Sequence, residues 1–144
     1  MPEPVVAVAL SGGVDSLVSG VLVKKRFSKV FGIHFTTGFE SGPLNTRELE
    51  RQLGFNIHTV DLSDAFQRCV VKYMVDTYLD GRTPNPCLIC NRDIKFGALF
   101  THAMRLGATI LATGHYACVR NAVTPGPAND TGPSLYTGHD ALKD

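Results

Sequence analysis

The apolar run Val5-Val6-Ala7-Val8-Ala9-Leu10 leads directly into Ser11-Gly12-Gly13-Val14-Asp15-Ser16, and this junction restricts the available folds more than any other stretch. Six consecutive apolar residues predict a strand covered on both faces, and Leu17 to Val23 predicts a helix directly behind the turn. Strand, glycine turn and helix in that order make a phosphate loop. Gly12 and Gly13 have no Cβ, so the backbone can approach a ligand closely. The first N–H groups of the helix behind them lack partners and lie at the positive end of its dipole. Ser11 and Ser16 add hydroxyl donors. The loop has neither the Lys-Ser/Thr ending of a Walker loop nor the G-x-G-x-x-G spacing of dinucleotide folds, which excludes both.

With 144 residues and 44% hydrophobic content, one core and a single domain are expected. The formal net charge of +1 gives no strong field toward nucleic acid, although Lys24-Lys25-Arg26 and Arg92 with Lys95 make local basic clusters. No apolar run reaches membrane-spanning length, and Met1-Pro2-Glu3-Pro4 lacks the basic start of a signal peptide. The expectation is a cytoplasmic protein without a membrane partner. In a reducing compartment four cysteines point to catalysis, metal binding or packing ahead of a disulfide framework.

Further strands are predicted over Lys29–Phe35, Asn56–Asp61 and Thr109–Thr113. A helix capped by Asn45 or Thr46 runs to Leu53 and ends at Gly54. A longer one, capped by Ser63, runs from Asp64 to about Tyr78 with Phe66, Val70, Val71, Met74 and Tyr78 at helical spacing. Pro84 and Pro86 make Thr83-Pro84-Asn85-Pro86 a stiffened loop that delivers Cys87-Leu88-Ile89-Cys90. A helix then runs from Asn91 or Arg92 to Leu106, carrying Ile94, Phe96, Leu99, Phe100 and Met104. Tyr116–Arg120 and Ser134–Gly138 read as two arms of a hairpin around a mobile, Pro/Gly/Asn-rich loop. Alternating strands and helices predict a Rossmann-like parallel sheet in a three-layer α/β/α arrangement with right-handed crossovers. Ligands in such sheets bind beyond the carboxyl ends of the strands, where Ser11–Ser16, Phe35 and Gly114-His115 share one rim.

Ser11-Gly12-Gly13-Val14-Asp15-Ser16 is similar to the loop of the PP-loop ATP pyrophosphatases, of the adenine nucleotide alpha hydrolase-like fold, which cleave ATP between the α and β phosphates to adenylate a carbonyl oxygen. Two further motifs narrow the likeness. Gly81-Arg82-Thr83-Pro84-Asn85-Pro86 with Cys90-Asn91 and Ile94-Lys95-Phe96, followed by Ala112-Thr113-Gly114-His115-Tyr116, resembles the tRNA-specific 2-thiouridylase (MnmA/TrmU) family over essentially the whole chain. Gly138-His139-Asp140-Ala141-Leu142-Lys143-Asp144 is similar to a further motif of that family.

The resemblance implies ATP-dependent 2-thiolation of a tRNA uridine. The C2 oxygen is adenylated with loss of pyrophosphate, and sulfur from a persulfide-carrying protein then replaces the adenylate. It implies ATP contacts from Ala9, Leu10, Ser11, Gly12, Gly13, Val14, Asp15 and Ser16, with Phe35 and Gly114 near the adenosine and Mg²⁺ on Asp15. Asn85, Pro86 and Cys87 would contact the target base, Lys143 and Asp144 the tRNA, and Cys90 stands at the first catalytic cysteine. A thiol just before a helix is expected to have a depressed pKa. The resemblance also implies an excised N-terminal domain, ending before the second catalytic cysteine, further tRNA-binding regions and a C-terminal β-barrel.

Where the family commonly has Asp, this chain has Cys87, which creates a Cys-x-x-Cys. The pair can be a redox dithiol, two ligands of a metal or [4Fe-4S] cluster with Cys118 as third, or a catalytic Cys90 beside a passive neighbour. Cys69, among apolar helix neighbours, reads as packing. His115 reads as a residue of the nucleotide rim, and His34 and His58 as strand histidines. Arg82 and Lys95 fit phosphate contact and ordinary ion pairing equally. Two other functions share the loop: a small-molecule ligase or amidotransferase of the same superfamily, and a sulfur- or metal-carrying module regulated by AMP or ATP.

Overall fold

The structure, a computed structural model, describes residues 2–121 and 133–137. The chain divides into two compact units, Met1–Gly114 and His115–Asp144. In the first, β1 (Val5–Ala9), β2 (Lys29–Thr36), β3 (Ile57–Asp61) and β4 (Ile110–Ala112) form one sheet in the order β3-β2-β1-β4. Every neighbouring pair is parallel. The expected parallel sheet is therefore present, with β1 inside it as its uninterrupted apolar sequence requires.

Helices cover both faces. Val8 and Leu10 on one face pack with Leu53 and Phe55, joined by Leu17 and Val23 of α1 (Val14–Arg26), while α2 (Thr46–Leu53) supplies Leu53 itself. Ala7 and Ile33 on the other face pack with Leu62, Val70, Ile89, Ile94, Leu99 and Ala103 from the later helices. The result is the three-layer α/β/α stack, Rossmann-like in its parallel core. Asn45 caps α2 by accepting the Glu48 N–H at 3.2 Å, and Gly54, left-handed at φ 71°, ends it.

Three local outcomes differ from the sequence reading. Ser63 is not the cap of the helix that follows β3; Leu62 holds that position. The Ser63 N–H and hydroxyl both donate to the Asp61 carboxylate, at 2.9 and 2.6 Å. Those hydrogen bonds, the hydroxyl's above all, hold the Asp61 carboxyl below its ordinary range. The acid outcompetes the hydroxyl because a carboxylate accepts both donors at once.

Second, the cysteines are not delivered by a loop. Helix α5 (Pro86–Ile89) starts at the second proline, with the Asn85 side chain accepting the Leu88 N–H at 3.2 Å. Proline at the first helical position loses nothing, since its missing N–H would have had no partner. Cys87 and Cys90 therefore stand on a helix.

Third, two helical rods widen to i→i−5 hydrogen bonding. The first comprises α3 (Ser63–Phe66), a π segment Gln67–Val71 and α4 (Lys72–Leu79); the second comprises α5, a π segment Cys90–Leu99 and α6 (Phe100–Arg105). The second rod buries Ile89, Ile94, Leu99 and Ala103, at spacings of five, five and four rather than three and four. Phe96 and Phe100, expected among the apolar positions of a regular helix, are turned outward at 51% and 41% exposure. Gly97 permits the wide turn: a Cβ there would lie 3.1 Å from the Arg92 carbonyl oxygen.

The second unit contains β5 (Ala117–Asn121) paired antiparallel with β6 (Pro133–Thr137), from Ala117 opposite Thr137 to Asn121 opposite Pro133. These are the expected hairpin arms. The connection between them, and His139, Lys143 and Asp144, lie outside the described residues. Among the described residues no helix is long and apolar enough to cross a membrane.

Gly32 lies at the centre of β2, where a Cβ would come within 2.7 Å of Leu10, 2.8 Å of Ile57 and 3.3 Å of Phe55. Three core side chains would have to yield together, so Gly32→Ala is expected to cost about 1–3 kcal/mol in urea unfolding. A loss under about 0.5 kcal/mol would mean that this face of the sheet is loosely packed.

Candidate functional site

β1 and β4 are neighbours, yet the helix leaving β1 covers one face and the rod preceding β4 covers the other. Their carboxyl ends therefore flank the point where strand order reverses, the usual ligand crevice of an open α/β sheet. Gly114 follows β4 and lies against the first turn of α1. A Cβ on it would be 2.9 Å from both the Asp15 carbonyl carbon and the Ser16 nitrogen. The Ser19 hydroxyl donates to the Thr113 carbonyl at 2.9 Å, a second tie between the same two elements.

Within the loop, the buried Ser16 is the hub. Its hydroxyl donates to the Gly13 carbonyl at 2.8 Å and accepts the Ser11 N–H at 3.2 Å. The Ser11 hydroxyl donates to Ser16 Oγ at 3.3 Å and accepts the Gly13 N–H at 3.3 Å. Both serines thus spend their hydroxyls on loop geometry, Ser16 from inside and Ser11 from the exposed side. Gly12 takes φ +83°, a conformation that favours glycine, and a Cβ there would have to displace the tip of Leu44, whose Cδ1 would lie 2.6 Å away. Gly13 caps α1 with no side-chain hydrogen bond. The loop consequently presents backbone N–H groups and the positive end of a 13-residue helix to an anion.

The rim extends along the sheet. The β1–β2 ladder continues past Ala9, with the Leu10 N–H donating to the Ile33 carbonyl at 2.9 Å. His34 Nδ1 lies 2.8 Å from the Leu10 carbonyl, directly before the loop. Phe35, paired in register with Val60, is half-buried and packs on the same cluster as Ala9 and Cys90. Beyond β2 the Glu40 carboxylate accepts from the Thr37 hydroxyl and from the N–H groups of Thr37 and Gly38, which hold its pKa below the ordinary value. That turn exposes Phe39, whose ring centroid is 5.9 Å from that of Phe66. Leu44, Ser19, His34 and Glu40 contribute to this rim, and nothing in their sequence spacing indicates it.

The cysteine helix is fixed by its first turn. The Asn85 side chain is occupied as the cap, and its N–H donates to the Tyr73 hydroxyl at 3.3 Å. Cys87 is exposed and Cys90 half-buried. The Cys90 thiol is not depressed, as its position near a helix start suggested, but raised. Burial is the main cause, the nearby Cys87 adds to it, and the Lys95 ammonium opposes it. Cys90 is the fifth residue of the rod, beyond the free N–H groups of the first turn, and its own N–H already donates to the carbonyls of Pro86 and Cys87. Arg82 pairs with Asp80 at 2.9 Å and Arg92 with Asp93 at 2.7 Å, so the guanidinium groups flanking this segment are in ion pairs.

Cys69 packs half-buried against the large cluster, in keeping with a packing role. Cys118 lies on β5 of the hairpin unit. Among the described residues no group of three His, Cys, Asp or Glu side chains is placed to hold a metal ion.

Two measurements follow from this geometry. Gly114→Ala pushes a methyl group into backbone that cannot swing aside, and is expected to lose about 1–3 kcal/mol of stability. The control Gly42→Ala, with nothing within 4 Å, should stay within about 0.5 kcal/mol. Alkylation of Cys90 in Cys87→Ser protein should rise with pH through a midpoint above the ordinary thiol value of about 8.5, and Lys95→Met should move it higher still. A midpoint below that value would contradict the buried placement.

Residues 4–144 match the family described as "tRNA methyl transferase HUP domain". The chain is 41% identical over 144 residues to the tRNA-specific 2-thiouridylase MnmA of Desulfosudis oleivorans, an alignment covering 99% of this chain and 38% of the relative. It is 44% identical over 121 residues to MnmA of Desulforudis audaxviator, covering 84% and 35%. Against MnmA of Nitratidesulfovibrio vulgaris it is 46% identical over 116 residues, covering 78% and 33%. The chain thus spans about a third of these relatives' length. Among solved structures, an NMN synthetase from Francisella tularensis aligns over 76% of this chain and 44% of its own at a TM-score of 0.44 and 16% identity, too distant to bear on function. With residues 4–144 matched to that family and the Desulfosudis alignment spanning 99% of its length, the chain belongs to the tRNA-specific 2-thiouridylase family, of which it represents the HUP domain.

Proposed function

We propose that this domain binds ATP on Ser11–Ser16 and adenylates the C2 oxygen of a tRNA uridine, after which sulfur replaces the adenylate with Cys90 taking part. The observation that carries the reading is the clasp of Gly114 onto the first turn of α1, which sets an uncapped helix start at the β1/β4 reversal. Cys90 packs on the same cluster as Ala9 and Phe35, residues from the carboxyl ends of β1 and β2.

Ala9 and Leu10 bring the chain to the phosphates, Gly12 and Gly13 let the backbone approach them, and the N–H groups of Val14, Asp15 and Ser16 lie at the helix start. The uridine oxygen attacks the α-phosphorus, the bond to the β-phosphate oxygen breaks, and pyrophosphate leaves with its added charge facing those donors. Phe35 and Gly114 flank the adenosine. The half-buried Asp15 offers hard carboxylate oxygens beside the loop, which suits Mg²⁺, an ion that would neutralise charge on the pyrophosphate. Asn85, Pro86 and Cys87 face the target base, and Lys143 and Asp144 approach the tRNA. Sulfur arrives as the outer atom of a protein persulfide and attacks C2 as AMP departs; the Cys90 thiolate then attacks the inner sulfur of the resulting disulfide, which releases 2-thiouridine and leaves Cys90 in a disulfide with the sulfur-carrying cysteine. Burial keeps the Cys90 thiol protonated at neutral pH, so Lys95 is the group that favours its thiolate. The setting is the cytoplasm, where tRNA, ATP and thiols coexist.

The test uses the gene product that carries this sequence, with ATP and unmodified tRNA. Pyrophosphate release should require the tRNA. Cys90→Ser should leave that release within about twofold while abolishing 2-thiouridine, because it removes only the second step. Release driven by a small carboxylic acid or amide, with tRNA inert, would assign the site to a small-molecule ligase instead.

A further inference from the structure

Cys87 and Cys90 are three residues apart on the first turns of the rod 86–105, and the Cys90 N–H donates to the Cys87 carbonyl. The backbone between them is helical, with φ/ψ of −66°/−44° at Ile89 and −60°/−44° at Cys90. Residues at that spacing share a helix face, and their Cα atoms are about 5 Å apart. A disulfide requires about 4.4–6.8 Å. Helical side chains lean toward the N-terminus, so Cys90 leans toward Cys87. Asn85 and Pro86 fix the turn that carries both. One sulfur is exposed to a small oxidant and the other half-buried. The reaction proposed above uses Cys90 and gives the Cys87 sulfur no chemistry.

We propose that Cys87 and Cys90 close into a reversible intrahelical disulfide by exchange with a low-molecular-weight disulfide, removing Cys90 from its thiol form. The Cys87 thiolate attacks one sulfur of the small disulfide and releases one small thiol, leaving a mixed disulfide on Cys87. Cys90 gives its proton to solvent and attacks Cys87 Sγ, expelling the second small thiol as the internal bond forms. The protein loses two electrons and two protons, and the small disulfide becomes two thiols. Excess thiol runs the exchange backward, as suits a reducing compartment where such bonds are transient. The pairing stands on helix geometry alone; its consequence for activity rests on the proposed role of Cys90.

The experiment treats the intact protein with oxidised glutathione, blocks remaining thiols with iodoacetamide, and analyses tryptic peptides. Cleavage after Arg82 and Arg92 isolates both cysteines in one peptide, 83–92. The expected product is that peptide two hydrogens lighter and unalkylated, with Cys69 and Cys118 alkylated, and full alkylation restored by dithiothreitol. Cys87→Ser and Cys90→Ser should each abolish the light peptide. Full alkylation of peptide 83–92 after oxidation, a persistent glutathione adduct on it, or linkage of either cysteine to Cys69 or Cys118 would overturn the proposal. Oxidised protein should also lose 2-thiouridine formation and regain it with dithiothreitol. If the light peptide forms and thiolation is untouched, the role given to Cys90 fails and the pairing survives.

Discussion

At the end of β4 the Gly114 backbone lies so close to the Asp15–Ser16 peptide that no side chain fits between them. That contact joins the last strand of the sheet to the first helix and thereby defines the crevice between two elements whose helices depart to opposite faces. Ser16 sits directly at the contact and holds Ser11 and Gly13, and Ser19, one turn later, holds Thr113. The loop is held by hydroxyl-to-backbone bonds around a buried oxygen, and these engage the N–H groups of Ser11 and Gly13.

A different principle positions the cysteines. They belong to a helix whose later residues form the inner wall of the large core, and the widened turn over Cys90–Leu99 selects which residues those are. A regular helix over the same stretch would line up Phe96, Leu99, Phe100 and Ala103 on one face and turn Ile94 away from them. The wider spacing gives the interior to Ile89, Ile94, Leu99 and Ala103 and leaves two phenylalanines at the surface. Cys90 is drawn half into that wall. Its raised pKa is a consequence of packing, and the cost of burying a thiolate exceeds the help available from Lys95.

Charge has a secondary part. The ion pairs Glu48–Arg51, Lys72–Asp76, Asp80–Arg82 and Arg92–Asp93 lie at the surface between residues close in sequence. Each contributes little to stability. Two of them engage the arginines on either side of the cysteine segment. An RNA phosphate approaching there would compete with Asp80 and Asp93 for the same guanidinium groups.

Much of this was legible in the residues. Continuous apolar character in β1, glycine at positions 12 and 13, Asn45 and Gly54 at the two ends of α2, and alternating strand and helix patterns are local signals, and local chemistry decides them. The parallel sheet and the glycine turn after its first strand follow from such signals. Competition between alternative partners decided the rest. Asp61 displaced Ser63 from its expected role because two donors converge on one carboxylate, and Asn85 with Pro86 started a helix where two prolines suggested only a loop. The widened turns, the inward-facing hydroxyl of Ser16 and the raised Cys90 thiol depend on what packs against them from distant parts of the chain. Sequence alone determined which residue types could bind phosphate and carry sulfur chemistry; the tertiary fold decided which of their donors are spent internally and how deeply each sulfur is buried, because desolvation and packing are properties of neighbours that only folding brings together.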